Sequence, residues 1–247
     1  MLKGKTAFIT GSNRGLGKTV LEEFAKNGVN VIAHARKETP DFKKTIEETA
    51  EKYGIEITPV YFDMTDSAKI KACVQDLMRS RKQIDILVNN AGILSKGLFA
   101  ATKIEDIKAV FDINFFSHLV LTQLILKIMC RNKSGSIVNI GSVGGLDAGM
   151  GNTAYAASKA ALMTWTKTLG AEFGSFGIRA NAVAPFLTQT DMEKQFPENE
   201  REKMISHISL KRAAKAEEIA KIVVFLASDE SSFINGQIIR ADGGVVL

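Results

Sequence analysis

The sequence predicts an α/β protein built on a doubly wound, seven-stranded parallel sheet flanked by helices. Three observations carry that prediction. Seven short, β-rich apolar runs recur along the 247 residues. Stretches with helical apolar spacing separate most of them, the pattern of βαβ units. A glycine cluster follows the first run and opens the first helix, the place where such folds hold phosphate.

The strand candidates are TAFIT (6–10), NVIAHA (30–35), ITPVYF (57–62), ILVNNA (86–91), SIVNIGS (136–142), IRANAVAP (178–185) and QIIRAD (237–242). Most are apolar along their whole length, as strands covered on both faces must be. Helical periodicity marks 17–27, 66–79, 104–129 and 154–173. Right-handed crossovers leave a doubly wound sheet as the natural topology. The segment 186–212, FLTQTDMEKQFPENEREKMISHISLKR, is polar and charged and interrupts the pattern before the last strand. It is expected to form a lid over a site at the strand C-termini. The whole of 1–247 then reads as one domain with a small insertion.

Composition narrows the function classes. With 45% hydrophobic and 24% charged residues, the chain is of ordinary globular type. Its formal net charge of +5 is scattered, without a long basic run, which argues against nucleic acid. No uncharged apolar run reaches membrane-span length, and MLKGKTAFITG passes straight into a strand pattern, without a signal peptide. The two cysteines, Cys73 and Cys130, sit in apolar helical contexts and read as free thiols of a reducing, cytoplasmic compartment. His34, His118 and His207 fit no metal-ligand spacing.

FITGSNRGLGKTV places Gly11, Gly15 and Gly17 between the first strand and its helix, spaced G-x-x-x-G-x-G. Glycine lets the backbone turn tightly and approach a pyrophosphate, and the helix N-terminus supplies free N–H groups. An NAD site usually ends its second strand with an acid for the ribose 2′-hydroxyl. Here that strand ends IAHARKE, with Arg36 at its tip and Arg14 in the glycine turn. Two guanidiniums suit a 2′-phosphate, so NADP(H) is the expected cofactor and NAD(H) the alternative.

Further along, NTAYAASKAALM carries Tyr155 and Lys159 one helical turn apart. A free tyrosine titrates near pH ~10, and a neighbouring ammonium favours its phenolate. This pair is therefore expected to act as a tuned proton donor.

Taken together, these motifs resemble the short-chain dehydrogenase/reductase family over nearly the whole chain. TGSNRGLG is similar to its cofactor turn and NNAG (89–92) to its fourth-strand motif. Asn114 lies 28 residues before Ser142, and Ser142 lies 13 before Tyr155, as the family's tetrad has them. The resemblance implies a catalytic set of Asn114, Ser142, Tyr155 and Lys159. Ser142 would donate to the substrate oxygen, Lys159 would also bind the nicotinamide ribose, and Asn114 would hold a water linking Lys159 to solvent. The implied cofactor contacts are Gly11, Asn13, Arg14, Gly15, Leu16, Gly17, Arg36, Asp63, Met64, Asn90, Ala91, Gly92, Tyr155, Lys159, Pro185 and Thr188. Enoyl reductases of related fold have six residues between tyrosine and lysine. The three seen here fit a ketone/alcohol reaction.

Within the family, NAVAP…TQTDM and KAEEIAKIVVFLASDESSFINGQ are similar to reductases of 3-oxoacyl groups on acyl carrier protein. Lys127, Arg131 and Lys133 would then meet the acidic carrier, or else simply favour a helix C-terminus. The chain departs from that subgroup at Phe186, at Phe176 and in GGLDAGMGNTAY. Phe186 is expected to reshape the nicotinamide or substrate pocket. Another ketone, such as a sugar, a polyketide intermediate or a small diketone, is the alternative substrate. A cofactor-binding regulator without catalysis is the third reading. The family also implies a homotetramer, built on the helices near 104–129 and 154–173 and the last strand.

Overall fold

A computed structural model describes residues 2–147 and 149–246. Seven strands form one wholly parallel sheet: β1 (Thr6–Ile9), β2 (Asn30–Ala35), β3 (Ile57–Tyr61), β4 (Ile86–Asn89), β5 (Gly135–Ile140), β6 (Ile178–Pro185) and β7 (Ile238–Ala241). Their order is β3-β2-β1-β4-β5-β6-β7. The chain winds outward from β1 in one direction, then crosses back to β4 and winds in the other. The crevice at the C-terminal ends of β1 and β4 is therefore the topological switch point, where open α/β sheets place their ligands.

Strand alternation divides the core into two layers. Ala7, Ile9, Val31, Ala33, Ile86, Val88, Val138 and Ile140 face one side. There they meet α1 (Gly15–Lys26), α2 (Pro40–Tyr53) and α8 (Ala216–Ala227). Phe8, Ile32, Leu87 and Ile137 face the other. That side is covered by α3 (Ser67–Arg79), α5 (Ser117–Asn132) and α6 (Thr153–Phe173). Val20, Leu21 and Phe24 of α1 are fully buried. Burial of each contributes about 1.5–3 kcal/mol, which fixes α1 and with it the glycine turn at its N-terminus. Local signals agree: Thr39 caps α2 ahead of Pro40, and Gly54 ends it at φ 63°.

The expected helix at 104–129 proves to be a continuous run with a flaw. It comprises α4 (Ile104–Phe111), a π-helical turn at Asp112–Phe116, and α5. By length and apolarity Ile104–Asn132 could cross a membrane. Here it covers the sheet, burying Leu121, Ile125, Ile128 and Met129. Several strands end a residue or two sooner than expected, because Thr10, Asn90, Ala91 and Ser142 have left the ladder for the loops at the sheet's C-terminal edge.

The segment 186–212 contains α7 (Glu198–Ser206) and has a small core of its own. Leu187, Ile208 and Ala213 are buried there, with Phe186, Met204, Ile205 and Val245 packed against them. Its entry and exit are paired, with the Ala214 N–H donating to Leu187 O and the Gln189 N–H to Ala214 O. At its far side Lys96 sits 3.5 Å over the Phe196 ring and 3.3 Å from Glu200.

Candidate active site

The glycine turn is shaped by contacts at the switch point. Gly11 and Gly15 take positive φ, 65° and 53°. Gly17 is ordinary helix, but a Cβ there would lie 2.5 Å from Asn90 Nδ2 and closer still to Gly11 O. Asn90 holds the turn open by donating Nδ2 to Thr10 O (2.9 Å) and Gly11 O (3.1 Å). Thr10 Oγ1 accepts from both Asn90 N (2.8 Å) and Ala91 N (2.9 Å). The two loops of the switch point are thus one hydrogen-bonded unit, leaving a cradle that only glycine permits. Asn13 and Arg14 are exposed at its mouth, and Leu16 packs against the core behind it.

At the second-strand end, Arg36 and Asp63 are not independent groups. Arg36 Nε lies 2.8 Å from Asp63 Oδ2, so the expected phosphate-binding cation is paired with another of the implied cofactor contacts. Asp63 also accepts from the Thr65 N–H (2.9 Å) and hydroxyl (2.8 Å), and these bonds hold its carboxyl below the usual range. Met64 is only 6% exposed, its side chain sunk in the core. If it touches a cofactor, it does so through its backbone.

Across the crevice, the four expected catalytic residues converge from the loop after β5, from α6 and from the π turn. Ser142 leaves β5 in extended conformation, and its Oγ accepts from the Gly144 N–H at 3.1 Å. Tyr155 as a whole is half-buried, and its hydroxyl is buried within hydrogen-bond reach of Ser142. Lys159 Nζ donates to Ile140 O at 2.6 Å and stands 5.9 Å from the Tyr155 ring. Burial of the ammonium lowers its pKa to about 8.

Burial pushes the Tyr155 phenol pKa upward, and the Ser142 hydroxyl draws it back down. The ammonium is turned to the β5 carbonyl, and its own charge is weakened by the same burial.

The Asn114 side chain brackets Ile93 as a strand partner would, accepting from Ile93 N (2.8 Å) and donating to Ile93 O (3.0 Å). The second Nδ2 hydrogen goes to Ser158 Oγ at 3.1 Å. Both amide hydrogens are thereby engaged within the protein. Gly92 brings this group against the lysine: a Cβ there would lie 3.2 Å from Asn114 Oδ1 and 3.5 Å from Lys159 Nζ.

The segment 186–212 borders this edge. Thr190 lies over the glycine turn, where a Cβ on Gly15 would come 3.7 Å from its own Cβ. Thr188, beyond the buried Pro185, has a buried hydroxyl with no hydrogen-bond partner among the described residues. Phe186 packs in the segment's own core. The sequence reading missed Thr190, Thr10 and Ser158. The second threonine of TQTD, and the serine just before Lys159, were the only signals for two of them.

A glycine cradle at the switch point facing a tyrosine and lysine across the sheet edge defines a nicotinamide-dependent oxidoreductase. Comparison with known proteins agrees. A family model described as Enoyl-(Acyl carrier protein) reductase matches residues 11–246. The 3-oxoacyl-[acyl-carrier-protein] reductase FabG of Thermotoga maritima is 41% identical over 247 residues, covering 100% of this chain and 99% of that one. Its counterpart in Pseudomonas aeruginosa is 37% identical over 246 residues, with the same coverage of 100% and 99%. A crystal structure from Agrobacterium tumefaciens, provisionally described as a gluconate dehydrogenase, matches with TM-score 0.95 at 32% identity, covering 100% of this chain and 98% of that one. The chain belongs to the short-chain dehydrogenase/reductase family.

Proposed function

We propose that this protein reduces a 3-oxoacyl thioester, carried on acyl carrier protein, to the (3R)-hydroxyacyl form with NADPH, in cytoplasmic fatty acid biosynthesis. The observation that carries the reading is the convergence of Ser142, Tyr155 and Lys159 opposite the glycine cradle. Full-length relatives named as 3-oxoacyl-[acyl-carrier-protein] reductases support the substrate.

When bound, the nicotinamide supplies the hydride that reduces the carbonyl carbon. Gly11, Gly15 and Gly17 admit the pyrophosphate to the α1 N-terminus, beside Asn13, Leu16 and Asn90. Arg14 and Arg36 offer guanidiniums for a 2′-phosphate, which is the ground for NADP(H) over NAD(H). Asp63 orients Arg36 through their ion pair. Ala91, Gly92, Pro185 and Thr188 line the approach to the nicotinamide end. Ser142 donates to the substrate oxygen and holds it beside Tyr155. Tyr155 passes its phenolic proton to that oxygen, completing the alcohol, and Lys159 steadies the phenolate left behind. Asn114 acts by fixing Ile93 and Ser158 around this centre. The segment 186–212 serves as the lid. Exposed Phe116, Phe176 and Phe233 fit the faces of a homotetramer, which a solution mass of one chain would disprove.

The test is turnover of acetoacetyl-CoA with NADPH by the wild type and by Tyr155→Phe. Clear wild-type turnover, lost in the variant while NADPH still binds, is expected. A wild type inert on the thioester but active on a sugar acid would favour the alternative substrate, to which the likeness to the Agrobacterium protein points.

A further inference from the structure

His34 lies on β2, is 2% exposed, and takes part in none of the chemistry above. Its ring bridges two loops. Nδ1 accepts from the Gly11 N–H at 3.1 Å, at the start of the glycine turn. Nε2 lies 2.9 Å from Phe62 O, just beyond β3. A backbone N–H can only donate and a carbonyl can only accept. The ring is therefore neutral, with its proton on Nε2. The ring also packs on Phe62, with centroids 4.1 Å apart. The His34 carbonyl accepts from Ser12 through both its N–H (2.8 Å) and its hydroxyl (3.0 Å). One residue thus grips the glycine turn twice and the adenosine-side loop once. Asp63, paired with Arg36, is the next residue after Phe62.

We propose that His34 is a positioning residue of the dinucleotide site, setting the distance between the pyrophosphate cradle at Gly11 and the Asp63–Arg36 pair at the adenosine end. The proposal rests on the reading of that crevice as the dinucleotide site.

Acid pH should disturb this bridge. A second ring proton would have to sit on Nδ1, against the Gly11 N–H, so the bridge breaks when the ring becomes charged. Burial already lowers the imidazole pKa from its ordinary value. Two titratable groups act on the ring: Asp63 from the β3 loop favours its charge, and buried His118 on α5 disfavours it as a like charge. No titratable side chain of the glycine turn contacts it directly among the described residues; Gly11 and Ser12 do. The neutral bridge is complete above 6.5 and is lost as pH falls through the lowered value.

The experiment is calorimetric titration of NADP+ and of NAD+ into wild type, His34→Ala and His34→Asn, from pH 7.5 down to 5.5. Asparagine keeps an acceptor near the Nδ1 position and cannot be protonated. At pH 7.5 His34→Ala should weaken NADP+ binding about tenfold, and His34→Asn less than about threefold. As pH falls below 6.5 through the lowered pKa, the wild-type Kd should rise relative to that of His34→Asn. The ratio of the two proteins removes the titration of the cofactor's own phosphate. His34→Ala binding like the wild type overturns the proposal, as does a wild-type Kd that falls in acid relative to that of His34→Asn. If His34→Ala fails to fold, His34→Phe, which keeps a ring without the acceptor, takes its place under the same criterion. A wild type that binds neither nucleotide overturns the dinucleotide reading and this proposal together, whereas binding that the variants leave untouched overturns only this one.

Discussion

Replacement of Gly17 by alanine tests the architecture of the cradle most directly. Gly17 is helical, so its backbone accepts any residue, and alanine in a helix interior is locally favoured by about 1 kcal/mol. Space is what forbids it. The added Cβ would lie 2.5 Å from Asn90 Nδ2 and closer still to Gly11 O, where ordinary contact begins at 3.4 Å, so the turn and α1 must separate by roughly 0.9 Å or more. The nearest atom in the way is backbone, held by Asn90 through Nδ2 to the same oxygen and to Thr10 O. The turn cannot yield without breaking those bonds, and α1 cannot retreat from its buried Val20, Leu21 and Phe24. Overpacking of this kind costs about 1–3 kcal/mol, less the propensity gain. The larger effect falls on the ligand, because the displaced Gly11 carbonyl enters the cradle. We expect Gly17→Ala to lower Tm by a few degrees and to weaken NADPH binding by about a hundredfold, as read by fluorescence titration. NADPH affinity equal to wild type in a folded Gly17→Ala protein would refute the steric argument.

Three further outcomes are expected from the structure. Asn139 on β5 bridges β4 and α6, its Oδ1 accepting from Asn89 (2.8 Å) and its Nδ2 donating to Thr166 Oγ1 (2.8 Å). Asn139→Leu should cost about 2–4 kcal/mol in urea unfolding by stranding these buried groups, and a loss below about 1 kcal/mol would contradict it. Lys159, with its pKa lowered to about 8, should lose its charge as pH rises, so kcat for reduction should fall above that pH. For folding the sign is opposite: a depressed lysine pKa favours the native state most above the unfolded value of 10.5, and that favour is lost as pH falls through about 8. The Tm difference between wild type and Lys159→Met should therefore change in that window. Finally, Arg240 joins Asp147 of the loop after β5 (2.6 Å) to Asp242 beyond β7 (2.6 Å). A double-mutant cycle on Arg240 and Asp147 should give a coupling of about 0.5–1 kcal/mol, and additivity would show that the loop is held otherwise.

The features legible in the sequence were local ones. Strand alternation, the glycine spacing and the Tyr155–Lys159 turn lie within single elements, so periodicity exposes them. The substitution of Phe186 was legible as a departure, but not its effect. The side chain packs against the small cluster of Leu187, Ile208 and Ala213, the last two lying twenty or more positions further along the chain. The Arg36–Asp63 pair and the His34 bridge join β2 to the end of β3, contacts that no spacing rule announces. Helical spacing gives the distance from Lys159 to Tyr155, but not the Ile140 carbonyl that takes the ammonium. Nor does anything in FDINFFS reveal that the helix opens at Asn114 into a π turn.

That π turn bears on how the long helix tolerates change. A π turn houses one residue more than the α-helical path requires. Deleting any one residue of Asp112–Phe116 would let α4 and α5 fuse into a regular helix. His118, Leu121 and Ile125 would keep their place on the sheet, because the turn absorbs its extra residue locally. The cost would fall on the turn itself, where Asn114 or its replacement would no longer meet Ile93. The irregularity is an insertion that re-aims one side chain at the catalytic loop and leaves the packing of the rod on either side undisturbed.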